Sequence, residues 1–248
     1  MIDIHSHILP DVDDGSDSME TSLLMATLAA ESGITRMIAT PHSNQRNGYT
    51  NYTSDELFER FRALRREIAA AGISLDVLPG MEVFASNDVP ELLLSGKILP
   101  INGSKYMLIE FSFEEDPGYI DNILSRLRDI KCIPVLAHPE RYKALQYMPY
   151  YLYDWACDGV ALQINKGSLF GNFGRRAKEL ALAMVDRNIV ACVASDAHGY
   201  EHRNPDMTDA LDFLTMQYSE ECAKRLLFSN PERILNNQPI IYGNMLPF

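Results

Sequence analysis

The sequence predicts an α/β fold built on a parallel sheet. Three observations predict it. Seven short apolar runs rich in β-formers recur along the chain, at 1–5, 35–40, 75–82, 106–111, 132–137, 160–164 and 189–194. A helical pattern stands between successive runs over most of the length. Polar residues able to bind metals stand at the C-terminal end of one run after another. Strands alternating with helices imply parallel pairing with right-handed crossovers, which either close into a barrel or leave an open, doubly wound sheet.

Taken in order, the first run ends in His-x-His. The helix at 19–31 follows, with Asp17 as the expected N-cap and Glu20 three residues on. The second helix is expected to be capped by Thr53 with Glu56, and Leu57, Phe61, Leu64 and Ile68 recur on one face. Shorter helical patterns lie at about 89–94, 119–129 and 150–157. The helix at about 175–187 places Ala177, Leu180, Ala181, Met184 and Val185 together. Helices near 205–217, 219–228 and 231–235 follow the last strand. No internal repeat, low-complexity segment or linker interrupts the series, so one domain over 1–248 is expected.

Composition narrows the function. The 248 residues are 46% hydrophobic and 23% charged, ordinary for a globular chain with a full core. No run of about 18 apolar residues is present, so no membrane insertion is expected. No basic n-region followed by an apolar stretch opens the chain, so no secretory signal is expected. The four cysteines (Cys132, Cys157, Cys192, Cys222) are widely spaced, without a C-x-x-C pair; Cys132 and Cys192 lie in apolar runs and read as reduced, buried thiols, which suits a cytoplasmic protein. A net charge of −12 disfavours nucleic acid and anionic membrane surfaces. It does not exclude a small anion if the site carries its own positive charge.

The strand ends carry the chemistry. They read His5 and His7; Thr40-Pro41-His42; Gly80-Met81-Glu82; Glu110; His138-Pro139-Glu140-Arg141; Gln163-Ile164-Asn165; and Ser195-Asp196-Ala197-His198. In a parallel barrel such ends form one rim, where active sites lie. Alternate residues of an extended chain point the same way, so His5 and His7 can address one point. Each residue has an ordinary reading alone: a surface histidine, a helix cap, a buried ion pair. Together they call for a metal, because buried carboxylates are costly unless paired or metal-bound and these strands carry no matching set of Lys or Arg. Nine candidate ligands stand out: His5, His7, Asp14, His42, Glu82, Glu110, His138, Asp196 and His198. Nine are too many for one ion and suit two or three. Imidazole with carboxylate and no thiolate fits Mn²⁺, Zn²⁺ or Fe. Three divalent ions would bring +6 against −4 from Asp14, Glu82, Glu110 and Asp196, a net of about +2 that attracts an anion. Arg141 and Arg203 trail the ligand motifs and present forks that match phosphate oxygens. Lys166 is a weaker candidate on the same rim, and His202 has no evident role.

These motifs resemble the PHP (polymerase and histidinol phosphatase) superfamily of metal-dependent phosphoesterases. Within it they are similar to the bacterial manganese-dependent protein-tyrosine phosphatases of capsule and exopolysaccharide operons. The stretches that carry the resemblance are MIDIHSHILPDVDDGS (1–16), IATPH (38–42), GME (80–82), LIEFS (108–112), AHPERY (137–142), QINK (163–166) and ASDAH (194–198) with Arg203. The resemblance implies a distorted seven-stranded (β/α)7 TIM-like barrel, the PHP fold, with a trinuclear site, most commonly manganese. It gives the ligand role to the nine residues above and phosphate binding to Arg141 and Arg203. His42 counts among the catalytic candidates as well as the ligands. It implies a phosphotyrosine-bearing tail of a tyrosine autokinase as substrate and inorganic phosphate as product. The oligomeric state is left open, a homo-oligomer included. Two residues depart from the pattern: Asp11 stands where many members have Gly, adding negative charge near the mouth, and Ser43 where some have a second His.

The expected reaction is metal-assisted, in-line hydrolysis of a phosphomonoester. A cysteine-dependent phosphatase needs Arg six positions after Cys; here those positions hold His138, Gln163, His198 and Phe228, which rejects it. Phe84, Phe113, Tyr49 and Tyr142 are aromatics near the rim that would favour an aryl phosphate, though core packing is their commoner job. Alternatives are a small-molecule phosphatase acting on histidinol phosphate, a non-catalytic metal-stabilised kinase-binding module, and, third, a nuclease.

Overall fold

The computed structural model describes residues 1–45 and 48–248. Its strands are β1 (Ile2–Ser6), β2 (Arg36–Ala39), β3 (His42–Ser43), β4 (Asp76–Pro79), β5 (Glu82–Phe84), β6 (Tyr106–Glu110), β7 (Ile133–Ala137), β8 (Ala161–Asn165) and β9 (Cys192–Ala194). The helices are α1 (Met19–Glu31), α2 (Asp55–Ala70), α3 (Val89–Leu94), α4 (Pro117–Asp129), α5 (Lys143–Tyr147), α6 (Tyr150–Cys157), α7 (Lys166–Phe170), α8 (Arg175–Asp186), α9 (Thr208–Gln217), α10 (Glu220–Lys224) and α11 (Asn230–Leu235). Every strand pair is parallel. The strand orders are β1-β2-β4 in one sheet and β3-β5-β6-β7-β8-β9 in the other. Strands β1, β6 and β8 are buried along their whole length. That is why their sequences read as unbroken apolar runs rather than alternating ones.

The seven expected strands are found as nine segments. The run 35–40 gives β2, with a further short strand, β3, just beyond it, and the run 75–82 reaches into two sheets. Pro41 has no N–H to continue a ladder, and the chain re-forms as β3 beside β5. The run 75–82 divides at Gly80-Met81 into β4 and β5. A Cβ on Gly80 would lie 2.8 Å from the Ile38 side chain, so the break passes closer to β2 than any other residue allows. The last strand returns to the first: Asp196 N donates to His5 O at 2.9 Å, and His7 N to Ala197 O at 2.8 Å.

Two caps differ from expectation by one residue. Ser18, not Asp17, caps α1 by accepting from Thr21 N, while Asp17 accepts from the Thr21 hydroxyl. Ser54, not Thr53, caps α2 by accepting from Leu57 N, while the Thr53 hydroxyl donates to Gly96 O. Adjacent Ser, Thr and Asp compete for the same position, and sequence does not choose between them. The apolar stripe of α2 is buried as its spacing predicts: Leu57, Phe61, Leu64 and Ile68. So are Ala177, Leu180, Ala181, Met184 and Val185 of α8. The five-residue helices α5 and α7 are too short to leave a periodic signal. The helix expected at 219–228 is α10 followed by a π-helical turn, Arg225–Ser229. No described helix is long and apolar enough to cross a membrane.

Candidate metal centre

The strand ends deliver their polar residues to one cleft of about 220 Å³, whose lining includes Asp14, His42, Glu110, His138, His198 and Arg203. β1 supplies His5 and, one residue past its end, His7. β3 and β5 open with His42 and Glu82, paired side by side. β6 ends with Glu110, and His138 and Asp196 follow β7 and β9. Four overlapping groups have ligand atoms mutually within 4.8 Å: His7/Asp14/His42/His198, His5/His7/Asp196, His5/Glu82/His138 and His42/Glu82/Glu110. All nine candidates from the sequence belong to at least one group.

Glu82 sits at the centre. Its Oε2 lies 3.2 Å from His5 Nε2, 3.2 Å from His7 Nε2 and 3.1 Å from His42 Nδ1. Its Oε1 lies 3.0 Å from His138 Nε2. Burial opposes ionisation of Glu82, but the surrounding imidazoles outweigh it and hold the carboxyl well below its usual range. Burial likewise opposes the charged form of His5, yet Glu82 and Asp196 push it up to about 9. Burial also opposes the protonated form of His7, but Asp13 and Glu82 raise it well above the usual value. His198 moves the other way, lowered by burial and by His7. So the carboxylates favour positive charge in the cleft.

The hydrogen bonds behind the cluster decide which histidine atoms face inward. Asp196 Oδ2 can only accept, and it accepts from Asn165 Nδ2 at 2.6 Å. Asn165 Oδ1 therefore accepts from Gln163 Nε2 at 2.8 Å. Gln163 Oε1 then faces His5 Nδ1 at 2.9 Å and takes its N–H. In the neutral ring, His5 Nε2 is left as a lone pair aimed into the cleft. Asp13 Oδ2 does the same for His7 Nδ1 at 2.7 Å, and Asp196 O for His198 Nδ1 at 3.0 Å. His5 Nε2 and His7 Nε2 stand 3.3 Å apart, so two neutral rings of this tautomer would oppose their lone pairs unless a proton or a cation lies between or beside them. Buried His42 Nδ1, Glu82 Oε2 and His138 Nδ1 have no hydrogen-bond partner of their own. The donor set fits divalent cations.

Three site residues hold left-handed backbone: His138 (φ 36°), Asp196 (φ 51°) and Arg203 (φ 47°). Such conformations cost energy in L-residues and persist where packing enforces them. Gly15 closes the Asp13–Asp14 loop against His7: a Cβ there would lie 2.3 Å from His7 Cβ and from His7 O. Asp3, fully buried, ties the two ends of the sheet series by accepting from Ser195 N at 3.1 Å and the Ser195 hydroxyl at 2.5 Å.

Arg141 and Arg203 reach the cleft and converge on Asp196 Oδ2, at 3.3 and 2.7 Å. Lys166 does not join them. Its half-buried ammonium is spent on Asn204 Oδ1 and Asp206 O, beside a neighbouring cavity of about 510 Å³ that His202 also lines. Tyr142 is core, its hydroxyl accepting from Phe111 N. Phe113 packs on Arg141, and Tyr49 lies parallel to the His42 ring at 6.2 Å. Asp11 adopts φ 56°, which explains why glycine suits the position, and its carboxylate meets Arg60 at 3.4 Å on the surface. Sequence reasoning passed over Asp13, Asp3 and Phe173, and gave no role to Gln163 and Asn165. Asp13 had a signal: of two adjacent carboxylates in an open loop, one can face the metal and the other back a histidine.

The family model for capsular polysaccharide synthesis, CpsB/CapC, matches residues 1–236. The chain belongs to the CpsB/CapC family. Among CpsB/CapC relatives, tyrosine-protein phosphatase YwqE of Bacillus subtilis is 39% identical over 240 residues, covering 97% of this chain and 93% of its own. A crystal structure from work on YwqE and on CpsB of Streptococcus pneumoniae, described as unique metal-dependent tyrosine phosphatases, superposes with a TM-score of 0.93. It is 38% identical and covers 100% of this chain and 99% of its own. Histidinol phosphate phosphatase of Lactococcus lactis, at 12% identity, TM-score 0.56 and coverage of 90% and 94%, shares the fold alone with this CpsB/CapC chain.

Proposed function

We propose that this chain is a metal-dependent protein-tyrosine phosphatase that removes phosphate from the tyrosine-rich tail of a bacterial tyrosine autokinase controlling capsule or exopolysaccharide synthesis. What supports it most is one feature: five histidines and four carboxylates, from strand ends and the loop after β1, form overlapping ligand groups at a cleft that two arginines also line. Whole-length likeness to tyrosine phosphatases of the CpsB/CapC family points the same way. We read the two parallel sheets as arcs of one distorted barrel of seven β/α units in a single domain over 1–248, joined where β9 meets β1. The site of action is the cytoplasm, and the product is inorganic phosphate.

His5, His7, Asp14, His42, Glu82, Glu110, His138, Asp196 and His198 would hold two or three divalent ions, manganese before iron or zinc. When bound, these ions supply positive charge opposite the phosphate oxygens and a water acidified enough to attack at neutral pH. The chain's own residues do the rest. Arg141 and Arg203 bind the non-bridging oxygens of the phosphoryl group. Gln163, Asn165 and Asp13 hold His5 and His7 in the tautomer that faces the cleft. His42 forms the half-open wall of the mouth, with Tyr49 against its ring, and orients what enters. The phenolate of a phosphotyrosine, with a conjugate acid of pKa about 10, departs without a strong acid beside it.

The test is release of phosphate from a phosphotyrosyl peptide by purified, metal-loaded protein, with and without chelator, against histidinol phosphate. Chelator-sensitive turnover favouring the peptide is expected. Preference for histidinol phosphate would reverse the substrate assignment, and metal binding without any turnover would make the chain a binding module.

A further inference from the structure

Arg141 is flanked by two aromatic rings, with its Cζ 4.4 Å from the Phe113 centroid and 4.3 Å from that of Phe173. The Phe173 ring also lies 5.9 Å from Arg203 Cζ. Phe173 comes from a tight turn after α7, between Gly171 (φ 88°) and Gly174 (φ 94°). Its ring sits directly on Gly167, where a Cβ would approach Phe173 Cε2 to 2.9 Å. Four features thus place one half-buried loop aromatic: two left-handed glycines that bend the turn, a glycine that leaves room for the ring, and a guanidinium on its face.

We infer that Phe173 is the positioning residue of the phosphate clamp, orienting Arg141 by its face at 4.3 Å and bounding Arg203 more loosely at 5.9 Å. The inference rests on the reading of both arginines as phosphate binders. A guanidinium carries all its N–H groups in its own plane, so rings on its faces fix the plane without occupying a donor; of the Arg141 donors, Nη1 meets Asp196 Oδ2. An unsupported arginine has many rotamers to lose on binding an anion; a stacked one has already lost them. Phe173 touches no reacting atom and acts only through the two guanidinium groups. It also lines the neighbouring cavity of about 510 Å³.

The experiment compares wild type, Phe173→Leu and Phe173→Tyr, each loaded with Zn²⁺. It measures metal content, the Kd of inorganic phosphate by calorimetry, KM and kcat for a phosphotyrosyl peptide, and the Arg141 Nε–H signal by NMR. Leucine keeps apolar bulk and removes the ring. Phe173→Leu should keep its metal, weaken phosphate binding by about 3- to 30-fold, raise KM more than it lowers kcat, and move the Arg141 proton downfield out of the ring current. Phe173→Tyr should restore all of these. Phosphate binding unchanged in Phe173→Leu, loss of metal in it, or failure of Phe173→Tyr to rescue would each overturn the inference. Wild-type protein that binds no phosphate would overturn the functional reading as well. Wild type that binds phosphate, with Phe173→Leu binding equally, sinks this inference alone.

Discussion

Gln163→Leu isolates the part of the site that acts at a distance from any ion. The amide accepts from His5 Nδ1 at 2.9 Å and donates to Asn165 Oδ1 at 2.8 Å, and all three residues are fully buried. Leucine fills similar space but leaves His5 Nδ1–H without an acceptor and Asn165 Oδ1 without a donor. Two lost buried hydrogen bonds, each about 1 kcal/mol net and more where a group is left unpaired, make about 3 kcal/mol. For a chain of this size that lowers Tm by about 6–12 °C. Metal affinity should fall by about 10- to 100-fold, the usual effect of removing a hydrogen bond behind a ligand. Melting curves of chelator-treated protein and a competitive metal titration measure the two effects separately. Gln163→Glu is the informative companion. It keeps an acceptor for His5, but its second oxygen faces Asn165 Oδ1, which can turn away only by aiming that oxygen at Asp196. It should not rescue metal binding. A Gln163→Leu protein that binds metal as tightly as wild type would refute the reasoning, because His5 would then need no help in choosing its tautomer.

Three further predictions test other contacts. Gly15→Ala should lose metal and activity together, since the new methyl overlaps His7; inductively coupled plasma analysis showing a full complement would contradict it. Arg203→Ala should raise the Kd for phosphate about tenfold while metal content holds, a loss of about 1.4 kcal/mol on the side of a charged hydrogen bond; equal loss of metal would erase the division between ligands and clamp. Glu140 is buried, with Oε1 accepting from Asn165 N at 2.9 Å and the Ser168 hydroxyl at 2.6 Å, while burial raises its pKa. A carboxyl raised on folding costs stability as pH rises from its unfolded value, about 4.5, through its folded one. In chelator-treated protein, Glu140→Gln should therefore gain on wild type as pH rises across that window, and a pH-independent difference in Tm would count against this.

Much of the architecture is legible in the sequence, because parallel strands buried on both faces leave unmistakable apolar runs. Leu108-Ile109-Glu110 and Val135-Leu136-Ala137-His138 say both where a strand lies and where it delivers a polar group. The division of 75–82 could not be read, since it depends on how near Gly80 comes to Ile38, a distance between separate strands. Left-handed backbone at His138, Asp196 and Arg203 is equally invisible, because the modest tendency of His and Asp toward it is too weak to mark a position and tertiary packing decides where it occurs. The residues behind the ligands were harder than the ligands. Gln163 and Asn165 have no chemistry that marks them alone; their role appears only when Asp196 sets the direction of every hydrogen bond in the chain of amides. Phe173 is an ordinary loop aromatic until a guanidinium from a different loop is found on its face.

The most direct measurement is anomalous diffraction at the manganese edge from crystals grown with manganese. Peaks for two or three ions should appear between His5, His7, His42, Glu82 and Asp196, with Glu82 shared between neighbours. A cleft without an anomalous peak, its histidines still bonded to Glu82 and Asp196 as they are here, would contradict the account at its root.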